Sequence, residues 1–406
     1  MTKLFPFVFL LLSFSLSSEA CTIAIISGKH TPDGRPILWK HRDTGVFDNK
    51  VIIYEGGTYR AAGLINSADD HPARVYIGFN EAGFAIMNSA SYNLFGDDSL
   101  NIPSMTGHMM RDALLECATV DDFERFLQEY DKPKGVETNY GVIDVHGNAA
   151  FFETDHFGYT RIDVDDQRVA PHGYLIRTNF SYTGIPHEGA GYIRYETAQR
   201  LFYRASGSNN LSVQHIMEHM ATSVWNSYSG QDARNAIHLK SSEDKFMYFH
   251  DCINRFTSSS SVAIQGVRPG ESPLLTTMWT RVGFPLASVV VPVWLTPQHS
   301  LPAVITAPGK ENAPIGDWAL QLKDEMVPSK RGSTKYYINA TRVFNADGTG
   351  ITQQLLPVSR EILKATERLM KNWEYPPQEE VNQHYDWIDA YITEQYRTLF
   401  GIPEKL

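Results

Sequence analysis

The sequence predicts an α+β fold in which antiparallel sheets are covered by helices. Short runs rich in β-branched and aromatic residues come in groups, and longer helical patterns lie between and after these groups. Grouping of this kind, without regular alternation of strand and helix, is typical of antiparallel sheets. A turn signal at Pro32-Asp33-Gly34-Arg35 and a hairpin signal at His146-Gly147-Asn148 also favour neighbouring strands that pair.

The individual elements follow in chain order. Strands are predicted over residues 22–26, 36–40, 50–54, 74–79, 84–90, 140–144, 149–153, 174–178, 261–267, 275–280 and 288–294. Helices are predicted over residues 104–117, 192–205 and 213–220, and another opens at Thr119, where Thr119 and Asp122 resemble a capping box. Residues 297–329 are rich in Pro, Gly and Lys and are predicted to form a loop or weak boundary. Two further helices are predicted, one after Ser359 and one ending at Gly401.

The first twenty residues have the pattern of a secretory signal peptide. Lys3 supplies a positive start, residues 4–16 are almost wholly apolar, and Ser18 and Ala20 place small residues before Cys21. The apolar run is shorter than the ~20 residues that a membrane span requires. The sequence therefore predicts cleavage after Ala20, a mature chain that begins with Cys21, and export to the periplasm or the medium.

A cysteine directly after a cleavage site is also the residue that becomes lipidated in bacterial lipoproteins. The β-branched run over residues 22–26 follows Cys21 at once, with no flexible tether, and Leu16 lies further from the cysteine than a lipoprotein signal usually requires. We therefore assign Cys21 to the folded domain and keep a lipid-anchored protein as the alternative.

Composition limits the binding partners, disulfides and cofactors that the protein could have. Removal of 20 of the 406 residues leaves 386, enough for a large core, and the formal net charge of -10 argues against nucleic acid or an anionic membrane as partner. The three cysteines are Cys21, Cys117 and Cys252; the last two could pair as a disulfide or remain buried thiols. With no CxxC motif and no His/Cys cluster at ligand spacing, the sequence argues against a structural zinc site, and no metal or other cofactor is predicted.

An N-terminal cysteine carries its own base. The α-amine has a reference pKa of ~7.7 to 8.0 and can take the thiol proton near neutral pH, so that the thiolate attacks an amide carbonyl. A nearby carboxylate could orient the amine, and Asp43 is the candidate because it ends a strand predicted to pair with that of Cys21. The structural alternative for Asp43 is a turn residue at a strand end.

Several motifs together resemble the cysteine N-terminal nucleophile hydrolases, the superfamily of choloylglycine hydrolases, penicillin V acylases and isopenicillin N acyltransferases. The resemblance covers roughly residues 21–294 and rests on the order of five motifs: Cys21-Thr22, Asp33-Gly34-Arg35, Lys40-His41-Arg42-Asp43, Asn80-Glu81-Ala82-Gly83-Phe84-Ala85-Ile86 and Thr178-Asn179. It implies an αββα sandwich, that is, two antiparallel sheets between helical layers.

The resemblance also implies roles for individual residues. Cys21 would be the nucleophile, Asp43 its partner, Asn179 a side-chain donor to the oxyanion, and Arg194 an active-site arginine. A strand-end turn for Asn179 and a solvated helix charge for Arg194 are the structural alternatives.

One departure concerns the substrate. Bile-salt and penicillin hydrolases carry an arginine three residues before the aspartate, where this chain has Lys40. Arg42 could substitute on the same strand face at a shifted depth, although Lys and Arg are not equivalent in a planar contact. We therefore assign Arg42, together with Asn88 in the region of the second oxyanion donor, to substrate binding.

These observations predict an exported hydrolase of linear amides that works through a thioester acyl-enzyme. Its expected organisation is a signal peptide (1–20), a catalytic domain (21–300) and a C-terminal helical extension packed on the same domain (301–406). The expected partner is a small-molecule amide, and the sequence is compatible with a homo-oligomer. The alternatives are an acyltransferase, a non-catalytic lipoprotein binding module, and a protease that uses Cys252 with His250.

Overall fold

The structure is a computed structural model that describes residues 20–69, 73–94, 102–298 and 300–402. Of the predicted signal peptide only Ala20 is among them; residues 1–19 lie outside the described residues. The strands are β1 (Ala20–Ile26), β2 (Ile37–Asp43), β3 (Asn49–Tyr54), β4 (Ala61–Asn66), β5 (Ile77–Asn80), β6 (Ala85–Ala90), β7 (Thr138–Ile143), β8 (Ala149–Thr154), β9 (Tyr159–Asp163), β10 (Tyr174–Arg177), β11 (Phe246–Tyr248), β12 (Ser258–Gln265), β13 (Thr277–Val282), β14 (Val291–Val293) and β15 (Tyr337–Asn339). The α-helices are α1 (Thr106–Glu116), α2 (Val120–Glu129), α3 (Tyr192–Gly207), α4 (Val213–His215), α5 (Pro314–Met326), α6 (Ala340–Val343), α7 (Ile351–Met370) and α8 (Gln378–Phe400).

Two large antiparallel sheets form the centre of the molecule. The first has six strands in the order β10-β1-β2-β12-β13-β14, and the second has seven in the order β3-β4-β5-β6-β7-β8-β9. Strands β11 and β15 form a small separate pair. The alternation of side chains along β1 shows how the sheets stack: Ile23 and Ile25 belong to the cluster shared with the second sheet, whereas Ala24 and Ile26 pack against the other side.

Helices cover the outer face of each sheet. On the first sheet, Trp39 of β2 packs with Phe202 of α3, their ring centroids 5.8 Å apart. On the second sheet, Tyr140 and Phe152 pack against Phe123 of α2, with centroids at 5.5 and 5.2 Å. Helix α2 begins with the predicted capping box, in which Thr119 and Asp122 bond each other's backbone N–H. The predicted αββα sandwich is confirmed.

The prediction of a loop over residues 297–329 was wrong, because the region contains α5. Its high content of Pro, Gly and Lys concealed an apolar stripe of Trp318, Ala319 and Leu322, and its proline lies at the helix start, where no hydrogen-bonding N–H is lost. Helices α5, α7 and α8 bury their apolar sides in the same hydrophobic cluster that lies between the sheets. None of the helices in the described part of the chain is long and apolar enough to cross a membrane.

Two strands of the second sheet, β4 and β9, have no counterpart among the predicted elements. Strand β4 reads Ala-Ala-Gly-Leu-Ile-Asn and has a single β-branched residue, Ile65, and no aromatic residue to mark it as a strand. Its Gly63 is required by packing, since an added Cβ would lie 2.3 Å from Cγ2 of Val75. Strand β9 has no fully buried residue, so it lacks the apolar alternation of its neighbours.

The cysteines other than Cys21 do not form a disulfide. Cys117 and Cys252 are both free and buried, and they lie in different hydrophobic clusters, on the outer side of the second sheet and in the central core. The sequence left open either a disulfide between Cys117 and Cys252 or two buried thiols, and the structure contains the two buried thiols.

A buried ion pair joins the two sheets near one end of the sandwich. Arg177 of β10 and Glu153 of β8 are both fully buried, and the Arg177 Nε donates to the Glu153 carboxylate over 2.6 Å. Glu153 also accepts the backbone N–H groups of Tyr182 and Thr183 at 3.0 and 2.8 Å. Glu153 therefore fixes the loop that follows Asn179.

We expect Glu153→Gln to lower the free energy of unfolding by about 3–5 kcal/mol, because Arg177 would remain a buried charge without its carboxylate. Urea unfolding followed by tryptophan fluorescence measures the change. The control is Glu361→Gln in the exposed Glu361–Arg368 pair, which should cost under about 1 kcal/mol. Equal costs for the two variants would contradict a structural role for the buried pair.

Candidate active site

Cys21 lies near the start of β1, at the edge of the space between the sheets. The β1–β2 register places Cys21 opposite Arg42 and Ala20 opposite Asp43. Cys21 is 5 % exposed, and the side chains of Arg42 and Asp43 are almost or fully buried. Pairing of the two strands therefore brings three of the predicted site residues to one end of the first sheet.

The Asp43 carboxylate is held from two sides. The Arg255 Nε donates to Oδ2 over 2.9 Å, and the Ser258 hydroxyl donates to Oδ1 over 2.7 Å. Ser258 begins β12 and pairs directly with Asp43 in the sheet. A buried carboxylate requires such partners, because its desolvation is otherwise costly.

Sequence reasoning missed Arg255 and Ser258. Arg255 lies in an irregular segment before β12, where no periodicity marks it. One signal was available, since β12 opens with four consecutive serines, Ser258–Ser261, and all four are fully buried. A polar run in a central strand indicates specific hydrogen bonding.

Arg194 connects the strand that carries Cys21 to Asn179. It lies in the first turn of α3 and is 2 % exposed. Its Nη1 donates to the carbonyl of Cys21 over 2.7 Å and to Thr22 Oγ1 over 3.0 Å, while Nη2 donates to Asn179 Oδ1 over 2.6 Å. Burial, with a smaller contribution from the Arg255 charge, lowers the pKa of Arg194 to about 10, so it is charged at neutral pH.

The close approach of Arg194 depends on a glycine. Gly191 immediately precedes α3 with a φ of 86°, in the left-handed region. A Cβ at this position would lie 2.4 Å from Nη2 of Arg194. A larger residue would displace the guanidinium from Asn179.

Asn179 is fully buried at the end of β10, and its amide orientation is defined. Because Arg194 donates to Oδ1, the Nδ2 group is the donor side, and it reaches the carbonyl of Ala90 over 2.9 Å. Ala90 is the last residue of β6, so Asn179 links the ends of the two sheets. The Nδ2 side is therefore the part of Asn179 that could donate to an acyl oxygen.

Lys40 and Arg42 lie on the same face of β2, as predicted, and both reach the second sheet. The Lys40 Nζ donates to Asn88 Oδ1 over 2.7 Å. Arg42 donates to Asn49 and Asn66 over 2.7 and 2.9 Å. The structure thus places Asn88 in contact with Lys40. Arg42 lies two residues further along β2, nearer the end of that strand, and pairs with Cys21.

Tyr76 lies between these two cations. Its backbone carbonyl accepts from the Lys40 Nζ over 2.8 Å, and its ring centroid lies 3.6 Å from the Arg42 guanidinium. A guanidinium over an aromatic face is a favourable contact when it is desolvated. Tyr76 was not among the predicted site residues.

The buried thiols do not support an internal nucleophile. Burial raises the pKa of the Cys117 thiol to about 12 and that of the Cys252 thiol further still, which disfavours the reactive thiolate. The ring of His250 packs instead on Tyr336, with centroids 4.1 Å apart. The residues that the structure describes also bring together no group of three or more His, Cys, Asp or Glu able to hold a metal ion.

The arrangement combines the components of acyl transfer at one end of the sandwich. Two hydrogen-bonded groups lie there: Arg194 holds Cys21 and Asn179, and Asp43 is held by Arg255 and Ser258, with contacts of 2.6 to 2.9 Å within each group. Such a set can supply a nucleophile, orient a proton acceptor and donate to a developing oxyanion.

Comparison with known proteins identifies the family. Residues 69–281, just over half of the 406-residue chain, match the family described as acyl-coenzyme A:6-aminopenicillanic acid acyl-transferase. The matched region contains Asn88, Asn179 and Arg194, and it begins after Cys21 and Asp43. No curated protein gives a significant sequence match.

Three solved structures are among those to which the chain is similar. A variant of conjugated bile acid hydrolase from Clostridium perfringens is 12 % identical, covers 68 % of this chain and 92 % of its own, and has a TM-score of 0.38. Penicillin V acylase from Agrobacterium tumefaciens is 12 % identical, with coverages of 68 % and 86 % and a TM-score of 0.37. The Caenorhabditis elegans orthologue of N-acylethanolamine-hydrolyzing acid amidase is 14 % identical, with coverages of 48 % and 86 % and a TM-score of 0.35.

The family match, which extends over more than half of the chain, agrees with the superfamily that the sequence motifs predict. The chain belongs to the acyl-coenzyme A:6-aminopenicillanic acid acyl-transferase family, within the N-terminal nucleophile superfamily of amide hydrolases and acyltransferases.

Proposed function

We propose that this protein is an N-terminal-cysteine hydrolase that cleaves linear amide bonds through a thioester acyl-enzyme. The observation that carries the proposal is the pairing of β1 with β2, which sets Cys21 beside Asp43, together with Arg194, which joins Cys21 to Asn179. Family membership supports acyl-transfer chemistry of this general type.

The reaction begins when removal of residues 1–20 turns the Cys21 nitrogen into a free α-amine. The amine takes the thiol proton, and the thiolate forms a C–S bond with the amide carbonyl carbon. The carbonyl oxygen becomes an oxyanion to which Asn179 Nδ2 donates. Collapse of this intermediate breaks the C–N bond, and the leaving amine takes the proton from the α-ammonium. Water then attacks the thioester, which releases the acid and restores the thiol.

Asp43 and Arg194 have supporting roles in this scheme. The Asp43 carboxylate, fixed by Arg255 and Ser258, lies opposite Ala20 and accepts a hydrogen bond from the new α-ammonium. Arg194 donates hydrogen bonds to both the Cys21 carbonyl and the Asn179 amide oxygen, so the nucleophile and the oxyanion donor keep their relative position.

Acyl transfer is the second candidate function, and the name of the matched family favours it. The thioester is common to both reactions, which differ only in whether water or an amine attacks it. Hydrolysis is our first choice because we also propose that the chain is exported, and water is the abundant acceptor outside the cytoplasm.

We expect Cys21→Ala to abolish amide cleavage, with a loss of at least about 10³-fold in kcat, because no other group can form the thioester. Acid release is followed by mass spectrometry for N-acyl amino acids, a penicillin-like amide, a conjugated bile acid and small peptides. Cys117→Ala is the matched control, since it removes a thiol that lies on the outer side of the second sheet. Activity that survives in Cys21→Ala would disprove the mechanism.

We expect Asn179→Ala to lower kcat by about 10²–10³-fold with little change in KM, because an oxyanion donor acts in the transition state. Steady-state kinetics on the best substrate of the panel measure both constants. The thermal unfolding temperature of the variant shows whether the site is still folded. A rise in KM at unchanged kcat would mean that Asn179 only binds the ground state.

Hydroxylamine distinguishes the two fates of the thioester. If water is the natural acceptor, millimolar hydroxylamine should divert only part of the product to the hydroxamate. If the enzyme is an acyltransferase, hydroxylamine should raise the rate of substrate consumption well above the rate measured when water is the sole acceptor. Quantification of acid, hydroxamate and amide products by mass spectrometry gives the partition ratio.

A further inference from the structure

His41 belongs to the group of side chains around Asp43. No described hydrogen bond joins it to Cys21. It is fully buried on β2 and shares a strand face with Asp43, two residues away. Its Nε2 lies 3.0 Å from Ser258 Oγ, and the same hydroxyl lies 2.7 Å from Asp43 Oδ1. The three side chains therefore form one continuous chain from His41 to the carboxylate.

The direction of each hydrogen bond in this chain follows from valence. Asp43 is held in a salt bridge with Arg255 and is an acceptor, so the single hydroxyl hydrogen of Ser258 points to Asp43. The backbone N–H of Arg255 donates to the same hydroxyl oxygen over 3.0 Å. His41 must therefore donate through Nε2–H, which occupies the remaining lone pair of Ser258.

The surroundings keep His41 in this neutral tautomer. The charged groups that face it are Asp43 on its own strand, Arg194 on α3 and Arg255 before β12. Burial is the dominant effect and lowers the pKa of His41 to about 4. Nδ1 has no hydrogen-bond partner among the described residues, which agrees with an unprotonated nitrogen, and the ring centroid lies 6.2 Å from that of Trp39.

We propose that His41 is a positioning residue. It fixes the orientation of the Ser258 hydroxyl, and through Ser258 it holds the Asp43 carboxylate toward the α-amine of Cys21. The inference rests on the proposed function, since it assigns Asp43 the role of orienting that amine. With both lone pairs of Ser258 occupied by His41 and Arg255, the serine hydrogen has only Asp43 as acceptor. Ser258 and Arg255 then hold the two carboxylate oxygens separately, which defines the plane of the carboxylate.

The test measures the reactivity of the thiol, so it requires no knowledge of the substrate. Exported, processed protein is treated with iodoacetamide, and alkylation of Cys21 is timed by peptide mass spectrometry. The other two thiols, Cys117 and Cys252, are buried and lie outside the site. We expect His41→Leu to slow alkylation of Cys21 by about 10- to 100-fold, because a misplaced carboxylate no longer orients the amine that receives the thiol proton.

Two further variants separate positioning from general disruption. His41→Gln can place an N–H near the position of Nε2 and should restore alkylation to within about threefold of the natural chain, since the orphan Nδ1 contributes nothing to the hydrogen-bonded chain. Ser261→Ala is the matched control, because it removes another buried bond between β2 and β12, from Trp39 Nε1 to Ser261 Oγ over 3.0 Å, that does not lead to Asp43, and it leaves the Trp39 ring beside His41 in place. It should leave the alkylation rate unchanged.

The inference is overturned if His41→Leu reacts as fast as the natural chain, or if His41→Gln is as slow as His41→Leu while both unfold at the same temperature. Amide cleavage is assayed on the same samples. If no amide is cleaved but thiol reactivity follows the expected order, the proposed reaction fails and the positioning role stands. If cleavage depends on Cys21 but not on His41, only the positioning role fails.

Discussion

The antiparallel pairing of β1 with β2 is the constraint on which the site depends. It sets Ala20 opposite Asp43 and Cys21 opposite Arg42, and the pairing of β2 with β12 then adds Ser258 beside Asp43. Because side chains alternate between faces, a slip of one residue in either pair would move all of these groups to the wrong side of the sheet. The apolar alternation of β1, with one row between the sheets and the other under the helices, makes such a slip costly.

Buried charged side chains near the paired strands β1 and β2 also define the geometry of the site. Arg194, Arg255 and Asp43 lie in surroundings where an uncompensated charge would be expensive, and each is held by several polar atoms. Such groups contribute less to net stability than to a defined geometry, since desolvation offsets much of their attraction. Here the defined geometry relates the Cys21 carbonyl, the Asn179 amide and Asp43.

The C-terminal helices also touch the segment that carries Arg255. The Lys323 Nζ of α5 donates to the carbonyl of Phe256 over 2.6 Å and lies 3.6 Å from the ring centroid of Phe47. Burial lowers the pKa of Lys323 to about 7. The region after residue 300 therefore supports the loop next to Asp43, in addition to extending the hydrophobic core.

The sequence by itself determined the sandwich, the family and most of the elements, because strand composition, the capping box at Thr119 and the ordered motifs are local signals. It also pointed to Cys21, Asp43, Asn179 and Arg194, whose assigned roles are proposals that the geometry supports. Only the tertiary structure decided that Arg255, Ser258 and His41 surround Asp43, since these contacts join residues more than 200 positions apart. It likewise decided that α5 lies within a region whose composition resembles a loop. Non-local contacts of this kind leave no periodic trace in the chain, because they depend on how the strands pair and not on what precedes or follows each residue.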